Sequence, residues 1–576
     1  MLAACTGYAA LVLGSATWAE ARALDHIFPF YPWHIRPFTA ADLATLRTEM
    51  SRGAWLLASL SVGLSLLPTS RLEFSKLGGE LGQSWNGLFA GLVQLTPKQR
   101  RQALAVFTVL TALRLHFSIA NPEYDDAVSY EVFVSKGLLA TSAYYPIPNN
   151  HVFSNTISLL FYQLSTGFWW SMRLPVLLVS TVATLFLFAA LLRRAGFRVA
   201  AVTTTLFSWL QLSLYHAGVG RGYWLVILLA GIIFFSMLAS ATGNRPRAAW
   251  FGLVLAGVVG CYTVPTFVYV LASTFSWLAW AFIRRGQWGQ LGGLAALAGL
   301  IGLAATTLYA PLLFISGFDK FTGNGYVAAL EPTTFWAGLP SYIWHNEGFL
   351  AGQRTLGGLI TVPVLLLLGW LVQLGRTGRL PTRQAQLLQH LAEPALWFVA
   401  LPYAIIFVQR VFPPERVLLY KAFFFFIIAG IVVDWLLQQW PTHRWLRPSL
   451  TIATGLFAIY QTFTVVRVNP AARGTNAAYH AGLQWLATQP PGPTLIPEPT
   501  HNLFFRFYAH SQMQQRSWQI DNDQQGNTRY AYVVAFPNKR GFFQPLFNFP
   551  PAYHNQEVDI YKVPKSYHLD TKPWRH

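Results

Sequence analysis

Two adjacent carboxylates, Asp125 and Asp126, follow an apolar run in the segment NPEYDDAVSYEVFVSKGLLATSAYYPIPNNHVFSN, residues 121–155. Carboxylates at the edge of a bilayer are costly, so an acidic pair in that setting marks a candidate functional site. One such group can act as general base towards a hydroxyl acceptor. The same segment supplies Glu131, the lone lysine Lys136, and the amides and imidazole of Asn149, Asn150 and His151, which could position a base or a polar ligand.

Cations that could face these acids recur further along the chain. HAGVGRGYW places Arg221 between two glycines and ahead of Tyr223, and QRVFPPERVLLYK carries Arg410, Arg416 and Lys421 around a Pro-Pro turn. A guanidinium presents a fixed fork of donors that matches phosphate oxygens, and glycine lets a ligand approach the backbone. The segment from Gly317 to Gln353 adds Asp319, Lys320, Tyr326, His345 and Glu347 among many aromatics, which would suit a sugar or lipid acceptor. Acids on one side and several cations on the other fit a base opposite a phosphate leaving group. The plainer readings are a solvated acidic loop, snorkelling arginines and interfacial anchors.

The elements that must position these residues are membrane spans. Of 576 residues, 53% are hydrophobic and 11% charged, far below the roughly 25% charged of a soluble domain. Eleven apolar runs are expected to cross as helices, near 103–120, 174–192, 199–217, 222–240, 248–262, 265–283, 290–315, 355–374, 395–410, 417–438 and 449–467. Basic clusters at Lys98/Arg100/Arg101, Arg193/Arg194/Arg198, Arg245/Arg247, Arg284/Arg285, Arg376/Arg379/Arg383 and Arg444/Arg447 punctuate every second pair of spans. With those clusters inside, the loops from Asn121, Gly218, Gly317 and Gln409 share the outer face with the tail after Arg467. The first outer loop, reaching to Arg173, is long enough to be a lid. Its TISLLFYQLSTGFWWSMR stretch is amphipathic and suited to lying on the membrane.

Positive-inside topology accounts for most of the net charge of +19, so no nucleic-acid partner is expected. Cys5 and Cys261 offer neither a disulfide pair nor metal-ligand spacing. Residues 1–100 form an N-terminal region in which 2–18 and 53–68 could make two more short spans, giving 11–13 in all. The aromatic and Pro-rich HIFPFYPWHIRPF between them suits an interface. The start has no basic n-region, so a cleaved signal peptide is not expected. Residues 101–467 would be the transmembrane catalytic domain and 468–576 a small outer-face α/β domain. The latter reads as a helix at NAAYHAGLQWLATQ and strands at YAYVVAF and VDIYKV.

Several short motifs in this order resemble the GT-C superfamily of membrane glycosyltransferases, specifically the protein mannosyltransferase and aminoarabinose transferase-like group, family 39. They are Asp125-Asp126 after an early span, PNNHVF at Pro148–Phe153, RLP at Arg173–Pro175, GRGYW at Gly220–Trp224 and PPERVLLY at Pro413–Tyr420. Many relatives carry Asp-Glu where this chain has Asp125-Asp126, which leaves the second acid's role less defined.

The resemblance implies an all-α polytopic GT-C fold and transfer of one sugar from a polyprenyl-phosphate donor to a lipid, glycan or protein acceptor, with inversion. Asp125 would be the base, with Asp126 beside it. Arg221, Arg416 and Lys421 would hold the donor phosphate, and Lys136, Asn149, Asn150, His151 and Tyr223 would position the reactants. The resemblance implies no nucleotide at the site; some distant members of the superfamily hold a divalent cation with acids, and Asp125, Asp126 and Glu131 could make such an oxygen site, favouring Mg or Mn over zinc. The outer loops and the tail lack the long lumenal insert of eukaryotic protein mannosyltransferases, so a bacterial inner membrane is expected, with the site on the outer, periplasmic face that the basic clusters define. A polytopic secondary transporter, or a scaffold displaying the C-terminal domain, are the readings from other classes. Intramembrane charges near the midplane would mark a transporter, whereas these gather at the outer ends of spans.

Overall fold

The most apolar segments of the chain become its most enclosed ones. The computed structural model describes residues 1–576 except 28–34, 120–121, 244–245, 323–327, 355–356, 441–442, 514–517, 524–527, 538–546, 548 and 565–576, with the backbone alone at 321–322 and 468–475. Asn121, Arg245, Tyr326 and most of HIFPFYPWHIRPF lie outside the described residues.

Among the described residues, eight helices are long and apolar enough to cross a membrane. They are Trp169–Ala195, Tyr223–Ala241, Pro265–Arg284, Gly289–Ile315, Gly358–Arg376, Thr382–Gln409, Glu415–Gln439 and Leu446–Arg467. The Glu415–Gln439 helix is 89% buried over its apolar window and the Tyr223–Ala241 helix 72%, against 11% for Leu446–Arg467. A helix apolar on every side is stable only when wrapped by others or by lipid. The first two therefore form the centre of the bundle, and the third presents its side chains to the lipid. Phe423, Phe424, Phe425 and Phe426 on the central helix are all buried, and Phe424 packs on Phe234 and Phe398.

Three of the eleven expected spans differ. Residues 97–118 form a helix, but it opens on the basic run Lys98, Arg100, Arg101 and carries the buried Arg114. The expected span 199–217 is broken at Leu210 into Phe197–Trp209 and Gln211–His216, and the backbone N–H of Gln211 freed there donates to Gln461 Oε1 at 2.8 Å. Pro246–Thr263 has 18 residues, and its first turn is Pro-Arg. At the N-terminus, the helices Leu2–Gly14 and Trp18–His26 meet at 88°, and Ala40–Leu66 and Pro68–Val93 at 89°. The first of these is built into the body of the protein, with Tyr8 Oη 2.8 Å from Ser142 Oγ and its ring against Tyr262.

The tail folds as a small mixed sheet. Strands β1 (Thr494–Leu495), β2 (Ile520–Asp521), β3 (Tyr532–Ala535), β4 (Tyr553–His554) and β5 (Asp559–Lys562) lie in the order β2-β1-β3-β5-β4. β1 runs parallel to β2 and β3, and β5 antiparallel to β3 and β4. YAYVVAF and VDIYKV thus become the paired strands β3 and β5. NAAYHAGLQWLATQ becomes the end of one 42-residue helix, Leu446–Ala487, that runs without interruption from the last span into the sheet domain.

That domain closes onto the acidic loop through the helix Pro499–Ser511. Phe507 packs edge-on against Tyr130 and Phe168. Arg506 Nη2 and His510 Nδ1 reach Glu131 at 3.1 and 2.8 Å, and Asn476 donates to the Pro122 carbonyl.

Candidate active site

Glu123 caps a short helix, Tyr124–Val128, whose first turn holds Asp125 and Asp126. Acids are favoured there because the N-terminal N–H groups carry partial positive charge. The helix then loosens into a π-type turn at Ser129–Phe133, and a second such turn at Trp169–Arg173 precedes the Leu174–Ala195 helix. Turns of this kind rotate side chains off the regular helical face and often mark functional sites. Here they aim Ser129 and Arg173 at the loop Gly218–Gly222.

The two acids have different surroundings. Asp126 is fully buried. It accepts from Arg173 Nη2 at 2.5 Å and from the Gly220 N–H at 2.8 Å, while Arg173 also donates to the Gly218 carbonyl. Burial pushes the Asp126 carboxyl up, and the Arg173 charge opposes it by favouring the anion. Asp126 thus latches the acidic helix to the Gly218–Gly222 loop. Asp125 keeps 42% of its side chain exposed, with Oδ2 3.9 Å from Arg221 Nη2.

Arg221 is buried and held from several sides. Nη1 donates to the Asn149 carbonyl at 2.7 Å, to the Asn149 side-chain oxygen and to Ser129 Oγ at 3.3 Å, while Nη2 lies 3.1 Å from His151 Nε2. The Gly222 N–H donates to His151 Nδ1 at 3.0 Å, and Tyr223 packs edge-on against the imidazole at 4.9 Å. Burial, reinforced by the Arg221 charge, holds His151 well below its usual range, so the ring is neutral at physiological pH.

The glycines stand close against their neighbours. A Cβ on Gly222 would sit 3.0 Å from both His151 Nδ1 and Ser154 Cβ, and one on Gly220 3.0 Å from Met172 Cβ and 3.3 Å from Asp126 Oδ1. Beside Arg221 lies a narrow crevice of about 10 Å³, lined mostly by apolar side chains, among them Ile157, Val176, Val179, Trp224 and Leu225. It joins a buried cation to a wall of apolar side chains.

The structure brings Asp125, Arg221, Asn149, His151 and Tyr223 together, with Asp126 directly behind them. Arg416 is exposed, and its charge is felt at both His151 and His216. Lys421 lies in a different cluster. It is buried, donates to Glu347 Oε1 at 2.6 Å and stands 3.7 Å over the Tyr403 ring. Lys136 pairs with Glu131 at 3.2 Å. Asn150 donates to the Thr141 and Tyr144 carbonyls and accepts from Asn155, tying its own turn together.

The oxygen set does not fit a cation. Asp126 is taken by Arg173 and Gly220, and Glu131 by Arg506, His510 and Lys136. Among the described residues no three His, Cys, Asp or Glu side chains form a metal-holding group.

Three further residues belong to this neighbourhood. Glu123 is a further acid of the loop, and burial, then the Asp126 charge, pushes its carboxyl up to about 7. Arg173 had a signal in the RLP motif but no assigned role. Arg114 donates to the Ser180 carbonyl at 3.0 Å and stacks 4.3 Å over Trp224, the residue that also lines the crevice. A lone Arg late in an apolar helix was its only signal.

The sequence matches no protein-family model and no curated protein. Solved structures do match. ArnT from Cupriavidus metallidurans in the apo state aligns with a TM-score of 0.53 at 15% identity, covering 80% of this chain and 96% of that one. The same protein bound to undecaprenyl phosphate aligns at 0.52 and 15%, covering 83% and 98%. The arabinosyltransferase EmbB from Mycobacterium smegmatis aligns at only 0.36 and 15%, over 59% and 31%. At this identity the ArnT likeness shows the fold alone: a mostly helical polytopic membrane protein that shares ArnT's architecture and carries a small C-terminal sheet domain.

Proposed function

We propose that this chain transfers a single sugar from a polyprenyl-phosphate donor to an acceptor at the Asp125–Arg221 site. One observation carries the reading: a half-exposed carboxylate faces, at 3.9 Å, a buried guanidinium that itself borders a narrow, mostly apolar crevice. A lipid-linked phosphate needs an apolar bed and a fixed cation together. Such a ligand, undecaprenyl phosphate, is bound in one of the ArnT structures that share this fold.

In the reaction, the acceptor hydroxyl gives its proton to Asp125 as its oxygen attacks the anomeric carbon. The bond from that carbon to the phosphate oxygen breaks, its electron pair leaves with the polyprenyl phosphate, and the configuration inverts. Arg221 is preorganised by Asn149, Ser129 and His151 to meet the charge growing on the leaving phosphate, and the exposed Arg416 adds its field. Asp126 and Arg173 hold the two loops in register. An acceptor that is itself an ionised phosphate would be oriented by Asp125 rather than deprotonated. The site and the sheet domain would face the outer side of a bacterial inner membrane, since the opposite end of the bundle collects the basic loops. The oxygens of Asp125 stay free for the acceptor proton, and we propose no metal in the step.

The test is sugar transfer from a radiolabelled polyprenyl-phosphate sugar in membranes carrying the Asp125→Asn variant. Loss of transfer with normal expression is expected. Full activity in that variant would refute the proposed base.

A further inference from the structure

The helices Trp169–Ala195 and Tyr223–Ala241 each have one end at the Asp125–Arg221 site and the other at a second cavity. A 19-residue helix rises roughly 28 Å, so this cavity lies about one hydrocarbon core away from Arg221. It holds about 170 Å³ between the ends of those two helices, the end of Pro265–Arg284 and the turn at Leu388–Ala392.

Its chemistry is that of an anion site with a greasy wall. Arg194, Arg284 and Arg285 line it, against the single carboxylate of Glu393. Arg285 donates to the Ala241 carbonyl and Arg194 Nη2 to the Phe235 carbonyl at 3.4 Å, which fixes both guanidiniums while leaving most of their N–H groups unused. Arg284 pairs with Glu393 at 3.1 Å and lies 5.8 Å over the exposed ring of Trp280. Trp277, also in the lining, is 93% buried and its indole N–H has no hydrogen-bond partner. His390 is the remaining titratable group in the wall.

We propose that this cavity binds the phosphate of an anionic phospholipid in the leaflet opposite the Asp125 site. Guanidiniums match phosphate oxygens in pairs, and basic pockets between spans are where anionic headgroups bind. The two tryptophans suit the headgroup level, where amphipathic rings settle. The inference does not depend on the sugar-transfer reading, because none of these residues touches that site.

The experiment is native mass spectrometry of the full chain in detergent, titrated with phosphatidylglycerol and, separately, phosphatidylcholine. Preferential binding of phosphatidylglycerol is expected. The Arg194→Gln/Arg285→Gln double variant should weaken it about tenfold or more, as loss of charge-assisted hydrogen bonds does, and Trp277→Phe a few-fold. Glu393→Gln should strengthen binding by removing the opposing charge and freeing Arg284, an outcome that misfolding cannot imitate. Arg379→Gln, a basic residue outside the cavity, should leave it unchanged. Equal binding of both lipids, an unaffected double variant, an equal loss with Arg379→Gln, or weaker binding in Glu393→Gln would each overturn the proposal. A competition arm with inorganic phosphate separates the sources. Displacement of the lipid at millimolar phosphate would overturn the headgroup and assign the site to free phosphate, while no displacement supports the lipid.

Discussion

Asp125 Oδ2 lies 3.9 Å from Arg221 Nη2, yet the carboxylate is 42% exposed and the guanidinium only 4%. The pair therefore joins a group that can meet an incoming acceptor to one that cannot move. Asp125→Asn removes the base and little else. General-base loss is expected to lower turnover ~10²- to 10⁴-fold with an unchanged melting temperature. A steady-state assay beside a thermal melt in detergent checks both.

Asp126→Asn should behave differently. It breaks a fully buried ion pair and leaves Arg173 uncompensated, which costs roughly 3–5 kcal/mol. The melting temperature should fall along with activity, and a variant as stable as the parent would show that the latch is not structural.

Arg221→Ala is expected to reduce kcat/KM for the lipid-phosphate donor ~10²- to 10³-fold, the usual loss when a preorganised partner of developing charge is removed. Lys at this position cannot reproduce the contacts to Asn149, Ser129 and His151 at once, so Arg221→Lys should recover only part of the rate. Varying donor and acceptor concentrations separately distinguishes this from an acceptor defect.

Gly222→Ala would place its Cβ 3.0 Å from His151 Nδ1 and Ser154 Cβ. Crowding of this kind costs roughly 1–3 kcal/mol. Because Arg221 is the adjacent residue, activity should fall by more than stability does. A parallel measurement of melting and transfer rate decides it.

Two acids set opposite pH limits. Burial would raise the Glu131 carboxyl, but the charges of Arg506, His510 and Lys136 outweigh it and hold it down at about 2. Its contribution is therefore present above the unfolded value near 4.5 and is lost as pH falls through about 2. Glu123 is pushed up to about 7 by burial and the Asp126 charge, so its contribution is present at low pH and is lost as pH rises from about 4.5 through 7. Glu123→Gln should flatten the neutral side of the stability profile, and Glu131→Gln should expose the helix Pro499–Ser511 to limited proteolysis. A profile unchanged by Glu123→Gln would refute the first assignment.

Composition and periodicity were enough to make this chain a polytopic helical membrane protein with a small mixed α/β tail, because bilayer thickness imposes one length and polarity on every span. Eight of the eleven expected spans meet that measure. The pattern could not show the break at Leu210, since the partner that stabilises it, Gln461, lies 250 residues away.

The site divides the same way. Acid type and position marked Asp125 and Asp126 as a pair, and the glycines marked Arg221. The motif resemblance ranked Asp125 above Asp126, but only tertiary structure supplied the neighbours: it buried Asp126 under Arg173, left Asp125 open, sent Lys136 to Glu131 and sent Lys421 to Glu347. A charge's function follows from what desolvates it and what pairs with it, and those neighbours come from distant segments whose spacing in the sequence says nothing of their distance in space.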